Sequence, residues 1–224
     1  MTFPVRQVGA ILLALLTPLV LAACDYGKDE PDHGKDSVSS KQLCDGAFSA
    51  DAGQAIETVS GVKEFSQLSS EGDLQDVAKS IVEDYSTSAD TWAKDHILCK
   101  VYTVQSGAAF DLEIAYSLTD EKNVAVGGDD PKFTKYKIGR KAFAKADKAI
   151  LYNECVSKKL SGSEGSPAII RGELKYRTEP ERNSQKVREN SLTILNSASL
   201  ALAKNLGCEK NGQLVAKPAL TPAS

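Results

Sequence analysis

Histidine is scarce in this sequence: His33 and His96 are the only two among 224 residues. The shortage narrows the available catalysis, because a Ser-His-acid hydrolase built on the folded part would have to use His96. No G-x-S-x-G elbow occurs. Ser161-Gly162-Ser163-Glu164-Gly165-Ser166 holds the right residue types in another order and reads as a mobile surface loop. Ser60-Gly61-Val62-Lys63 fits the S-x-x-K of penicillin-recognising enzymes, but the S-D-N and K-T-G partner motifs are missing. No C-x-x-C pair exists, and neither histidine stands at ligand spacing to a cysteine, so a zinc site is not expected. Asp129-Asp130 follows two glycines without the ligand spacing of an EF-hand. The adjacent acids Glu83-Asp84 are of a type that glycosidases use, but their place on a helix face predicts a solvated role. His96, at the start of a strand, reads as structural or exposed. The expectation is a domain without catalytic residues, metal or cofactor.

Long apolar runs are also lacking, with one exception. Residues 8–23, VGAILLALLTPLVLAA, hold no ionisable group and follow Arg6. A basic start, an apolar stretch and small residues at its end form the layout of a secretory signal. Sixteen residues fall short of the roughly 20 that span a bilayer as a helix, and Pro18 interrupts them. The stretch ends in Leu21-Ala22-Ala23-Cys24, which matches the lipobox of bacterial lipoproteins. In those proteins the cysteine is acylated and becomes the new N-terminus after cleavage. Two fatty chains anchor a protein stably where one does not. Residues 1–23 therefore read as a signal peptide, Cys24 as the lipidation site, and the location as the extracytoplasmic face of a cell membrane. The membrane, through that lipid, is the expected first partner, with an envelope protein or ligand as a second.

An excess of positive charge is missing too. Arg6 is the only charge in residues 1–23, so the 27 basic residues fall to 26 against 30 acidic, a net of −4. That balance gives no reason to expect nucleic acid as a partner. Positive charge is instead concentrated locally. Residues 132–148, KFTKYKIGRKAFAKADK, carry Lys132, Lys135, Lys137, Arg140, Lys141, Lys145 and Lys148 against Asp147 alone, with Phe133, Tyr136 and Phe143 interleaved. Such a segment suits anionic headgroups or anionic wall polymer, at about 1 kcal/mol per basic residue near a charged membrane. The same stretch also reads as a lysine-guarded edge strand or hairpin with its aromatics turned inward.

Five cysteines are present. Setting Cys24 aside leaves Cys44, Cys99, Cys155 and Cys208, an even number that outside the cytoplasm reads as two disulfides. Three connectivities exist. We favour Cys44–Cys99 and Cys155–Cys208, which staple the two halves separately. Each would close a loop of more than 50 residues and contribute about 4 kcal/mol by restricting the unfolded chain.

Organisation follows from composition and periodicity. Residues 24–41 are polar and read as a flexible tether, residues 42–211 as one domain, and residues 212–224, with two prolines, as a disordered tail. Ser49 can cap a helix through residue 58, with Gly61 as its stop. A second helix is predicted over residues 73–85. Strands are predicted over residues 97–104, 110–118, 149–157 and 168–176, and a short one over 124–126 before a turn at 127–131. Residues 110–118 alternate cleanly, with Phe110, Leu112, Ile114, Tyr116 and Leu118 inward and the other face wet. Ser106-Gly107 supplies a turn before them. Thr178, Pro180 and Glu181 suggest the capped start of a long helix ending at Gly207, where a Cys155–Cys208 bridge would clamp it to the sheet. Helices and strands are segregated, without βαβ alternation, so the fold class is α+β: an antiparallel sheet with helices on one face.

Leu43-Cys44-Asp45-Gly46 before a Ser-Ala-rich helix, the later Ala149-Ile150-Leu151-Tyr152 with Cys155, and the helix running into Leu206-Gly207-Cys208 form a pattern. With the lipobox, it resembles uncharacterised secreted lipoproteins of actinobacteria that carry a four-cysteine α+β domain. The resemblance covers most of residues 42–210 and implies the lipid anchor and the disulfides, with no catalytic residue to carry over. Function is therefore expected to be that of a lipid-anchored, non-catalytic binding or interaction domain. The alternative is the substrate-binding lipoprotein of an importer, although about 170 folded residues are few for two lobes. An envelope hydrolase ranks third, for want of motifs.

Overall fold

The computed structural model describes residues 37–66, 73–87, 94–104, 111–124, 130–178 and 184–223. The chain divides into units 1–32 and 33–224, and every described residue lies in the second. Cys24 and His33 lie outside the described residues, as do Phe110, the Ser106-Gly107 turn, residues 125–129 and Pro180-Glu181.

The first half is mostly helical. Strand β1 (Ser37–Ser39) pairs antiparallel with β2 (Glu64–Ser66). Between them lie a 3-10 turn at Leu43–Gly46 and helix α1 (Ala50–Ser60). The Ser49 hydroxyl accepts from the Ala52 amide, and Gly61 closes α1 at φ +72°, a conformation that costs glycine little. Helix α2 (Leu74–Thr87) follows, with Val77, Ala78 and Ile81 buried at helical spacing.

The second half is a six-stranded sheet of β3 (His96–Val101), β4 (Leu112–Thr119), β5 (Thr134–Tyr136), β6 (Lys141–Ala144), β7 (Lys148–Cys155) and β8 (Ala168–Tyr176). The order is β3-β4-β8-β7-β6-β5, and every neighbouring pair is antiparallel. The hairpin β3–β4 and the meander β5–β8 are thus joined where β8 returns to β4. The fold is α+β, as the segregated elements predict.

Helix α3 (Gln185–Leu206) lies across one face of the sheet. It packs on Leu112, Ile114, Tyr116, Leu151, Ile170 and Leu174 in a core shared with α1 and α2. Gly172 sits at the closest approach: a Cβ there would come within 2.8 Å of the Tyr116 ring and 3.2 Å of Leu195. Four buried polar residues of α3 are used as fasteners. Ser191 meets the Tyr176 hydroxyl at 2.9 Å, and Ser199 meets that of Tyr116 at 3.2 Å. The Ser197 hydroxyl accepts from the Ser49 amide at 2.8 Å, and Asn196 donates to the Val215 carbonyl at 2.9 Å. The helix starts later than the Thr178 capping pattern suggests. Strand β8 runs on to Tyr176, and Ser184 caps the helix by accepting from the Val187 amide. Its end is as expected, with Gly207 at φ +73°.

Both expected disulfides are present. Cys44–Cys99 joins the turn before α1 to β3 with Cα atoms 5.3 Å apart, and Cys155–Cys208 joins the end of β7 to the residue after α3 at 4.9 Å.

Three expectations are corrected. Strand β4 is buried on both faces rather than one: Glu113, Ala115 and Ser117 are as enclosed as Leu112 and Ile114. It is an interior strand, its outward residues are small apart from Glu113, and Glu113 is paired with Lys175 at 2.6 Å. Residues 37–41 do not belong to a tether, because residues 37–39 are a strand and the Ser40 hydroxyl, inside the fold, bonds Glu57 at 2.6 Å. The C-terminal residues are not a disordered tail. Leu214 is buried, Lys217 meets Asp51 at 3.2 Å, Pro222 bridges Tyr136, and the Ala223 amide donates to the Lys135 carbonyl. This segment covers the free edge of β5, where a proline is tolerated because no further partner strand requires its amide.

Candidate functional site

The sheet has a second face, turned away from α3, and its chemistry is mixed. Val124, Phe143, Ile150, Tyr152 and Ile169 form a separate small apolar cluster there, with Phe133 against it. Phe143 stands edge-on between Phe133 and Tyr152 at centroid distances of 6.5 and 6.3 Å, a favoured aromatic geometry. Beside the cluster runs a ladder of charge. Lys148 meets Glu173 at 2.7 Å, Arg171 contacts Glu173 and reaches toward Asp95 at 3.6 Å, and Lys175 meets Glu113. Burial, with the cations of Arg171 and Lys145 nearby, holds the Lys148 ammonium below its ordinary value. Burial pushes the Tyr152 phenol up, against the opposing pull of Arg171.

A cleft of about 600 Å³ opens at one end of this sheet. Its floor is apolar, from Leu118, Ala168 and Ile169, and its rim carries Asp120, Glu121, Glu154 and Arg140. Arg140 stands in the turn before β6, where Gly139 at φ +54° lies so close to β7 that a Cβ would meet the Tyr152 carbonyl at 2.6 Å. That turn aims the guanidinium at Glu121, beyond β4, and Glu154, near the end of β7, and it pairs with both. Gln213 also donates to Glu154 at 3.2 Å. Two acids clamped by one arginine over an apolar floor suit recognition of a small polar ligand.

The expected basic segment divides into two groups. Arg140 is taken by the cleft, Lys145 by Asp147 at 3.2 Å and by the Phe133 ring at 5.4 Å, and Lys148 by Glu173. These three are not free for an anionic surface. Lys132, Lys135, Lys137 and Lys141 are exposed. The register Lys135↔Phe143 and Lys141↔Tyr152 places Lys135 and Lys141 on the outer face. Lys137 continues that alternation, between the buried Tyr136 and Ile138.

Asp84 is not solvated as its helix position suggests. It is buried, and its carboxylate lies 2.6 Å from His96 Nε2, tying α2 to the first residue of β3. Glu83, beside it, is exposed and pairs with Lys79 at 3.8 Å. The serine-rich stretch 161–166 is likewise no free loop. Ser163 is fully buried, accepts from the Ser157 amide at 2.9 Å, and so sets Ser161 and Ser166 on the cleft wall. Sequence reasoning missed Glu121 and Glu154 because their only signal is tertiary: strand order brings them to one arginine from positions far apart in the chain.

No group of three or more potential metal ligands occurs among the described residues, and no described helix is long and apolar enough to cross a membrane. Comparison of the chain with protein-family models, with curated proteins and with solved structures finds no match.

Proposed function

We propose that this chain is a lipid-anchored extracytoplasmic protein whose α+β domain is a non-catalytic binding or interaction module of the cell envelope. The observation that carries the reading is the use of its cysteines. Cys44, Cys99, Cys155 and Cys208 are spent on two disulfides, so Cys24, at the end of Leu21-Ala22-Ala23-Cys24, is the one cysteine left to acylate. Disulfides accord with an oxidising compartment. His96, the one histidine among the described residues, gives its Nε2 to Asp84 and so ties α2 to β3, a structural use.

The test is fractionation with intact-mass measurement in the native host. The processed chain should begin at Cys24 with a diacylglyceryl adduct and leave the membrane fraction only in detergent, while Cys24→Ala should stay unacylated and uncleaved. An uncut leader, or a cut chain without acyl mass, overturns the anchor.

The cleft favours a second reading, capture of a small solute as an importer's binding lipoprotein captures one. A thermal-shift screen of small polar solutes separates the two, because a ligand at a hundred times its Kd stabilises by about 2.7 kcal/mol. Loss of such a shift in Arg140→Ala would assign the solute to the cleft.

A further inference from the structure

We infer that Lys132, Lys135, Lys137 and Lys141 form a docking face for anionic phospholipid, so that the domain lies against the membrane that holds Cys24. The inference rests on the anchored reading above and names a second contact with that same membrane.

The first argument is selective pairing. Within one segment, Arg140, Lys145 and Lys148 each have a carboxylate partner. Lys132, Lys135, Lys137 and Lys141 are exposed, with no ion pair to any described residue. Lys135 and Lys141 share a face, with Lys137 between them at the hairpin turn. Like charges gathered across a hairpin repel, and no described carboxylate offsets that cost.

The second argument removes the structural explanation. Lysines often guard a free strand edge against unwanted pairing. The edge of β5 is not free: Pro222 bridges Tyr136, and the Ala223 amide bonds the Lys135 carbonyl. A guard there is redundant.

The third argument is reach. Ser37 begins β1, which pairs with β2, and β2 continues onto residues 102 and 103 just after β3. The chain thus enters at the β3 side of the sheet, and the lysines stand at the β5 side. Five spacings of about 4.8 Å separate β3 from β5, and β2 and β1 add two more, so the entry and the lysines stand at most roughly 34 Å apart. Residues 25–36 can span at most about 40 Å, enough for the lipid and the lysine face to meet one plane. Phe133, half-buried next to Lys132, brings an aromatic ring to that plane.

A lysine near an anionic membrane multiplies attachment about fivefold, so four lysines alone hold weakly. Joined to a lipid anchor, they orient the domain, since the second contact becomes intramolecular.

The test uses the native lipoprotein reconstituted in vesicles of phosphatidylcholine, or of phosphatidylcholine mixed with phosphatidylglycerol, with lysine acetylation read by mass spectrometry. The anchor should hold the protein on both. Acetylation of Lys132, Lys135, Lys137 and Lys141 should slow about fivefold or more on the mixed vesicles only, recover in high salt, and leave Lys79, on α2, unchanged. Attachment to both vesicles with equal acetylation overturns the inference and spares the anchor. Attachment to mixed vesicles alone, with the four lysines protected, overturns the anchored reading and the inference with it, and leaves only the lysines' own affinity for anionic phospholipid. Attachment to neither overturns both. Protection by isolated wall polymer and not by vesicles overturns the phospholipid assignment.

Discussion

The two faces of the six-stranded sheet solve the same burial problem with different materials. The face under α3 is apolar, and its polar atoms are mostly hydroxyls in neutral pairs, such as Tyr116 with Ser199. The opposite face carries no described helix and combines a five-residue apolar cluster with ion pairs among Glu113, Lys175, Lys148, Glu173 and Arg171. The first arrangement gives stability through dry packing. The second leaves charge and exposed lysines near the surface. The cleft opens at the end of the sheet and draws on both sides, with Leu118, Ala168 and Tyr85 from the α3 side and Ile169 from the other.

Adjacent residues of β8 give the sharpest contrast. Ile170 points under α3 and Ile169 points to the other cluster, beside the cleft. Ile170→Ala should cost about 4 kcal/mol, because it leaves a dry void. Ile169→Ala should cost about 2 kcal/mol, since the space it vacates joins the cleft and takes water. Equal losses in denaturant unfolding would break the distinction between the faces.

Alkaline titration probes the face under α3. Burial raises the Tyr176 phenol to about 12, with the Ser191 hydrogen bond opposing, and raises Tyr116 further. An unfolded tyrosine ionises near 10. Above that pH the unfolded chain loses protons that the folded chain keeps, so stability falls as pH rises. The contribution of Tyr176 is whole below pH 10 and is lost by pH 12, about 3 kcal/mol. Chemical denaturation at pH 9 and at pH 11, about one unit either side of the unfolded pKa, should show the drop, and Tyr176→Phe should reduce it and leave the part that Tyr116 contributes.

The smallest effect belongs to the charged face. Glu113→Gln removes one carboxylate partner of Lys175, whose side chain is 43% exposed. Water therefore takes over much of the lysine's solvation, and the loss should be about 1 kcal/mol. A loss as large as that of Ile170→Ala would mean the ion pairs organise this face as firmly as packing organises the other.

Much of the framework was legible before any coordinates. The Ser49 cap and Gly61 stop of α1, the span of β8, the Gly207 stop of α3 and the pairing of the four cysteines are all as the residues suggest. These are local signals, set by capping, alternation and loop closure. The short strand β1, the residues closing the β5 edge and the burial of Asp84 were not legible. Ser37-Val38-Ser39 has no periodicity of its own, and the C-terminal residues have too few apolar groups to announce that they pack. The cleft was illegible for a related reason. Arg140 was read with the other basic residues of its segment, and only the order β8-β7-β6 and the path from β4 to β5 deliver Glu154 and Glu121 to it.

The sequence by itself determined the fold class, the glycine stops of α1 and α3 and the number of disulfides, because each depends on spacing along one stretch of chain or on a count of residues. The tertiary structure decided which charges are neutralised and which are left for a partner. That division depends on which carboxylates the strand order brings within reach of each cation, and Coulomb attraction between side chains takes no account of their separation in the chain.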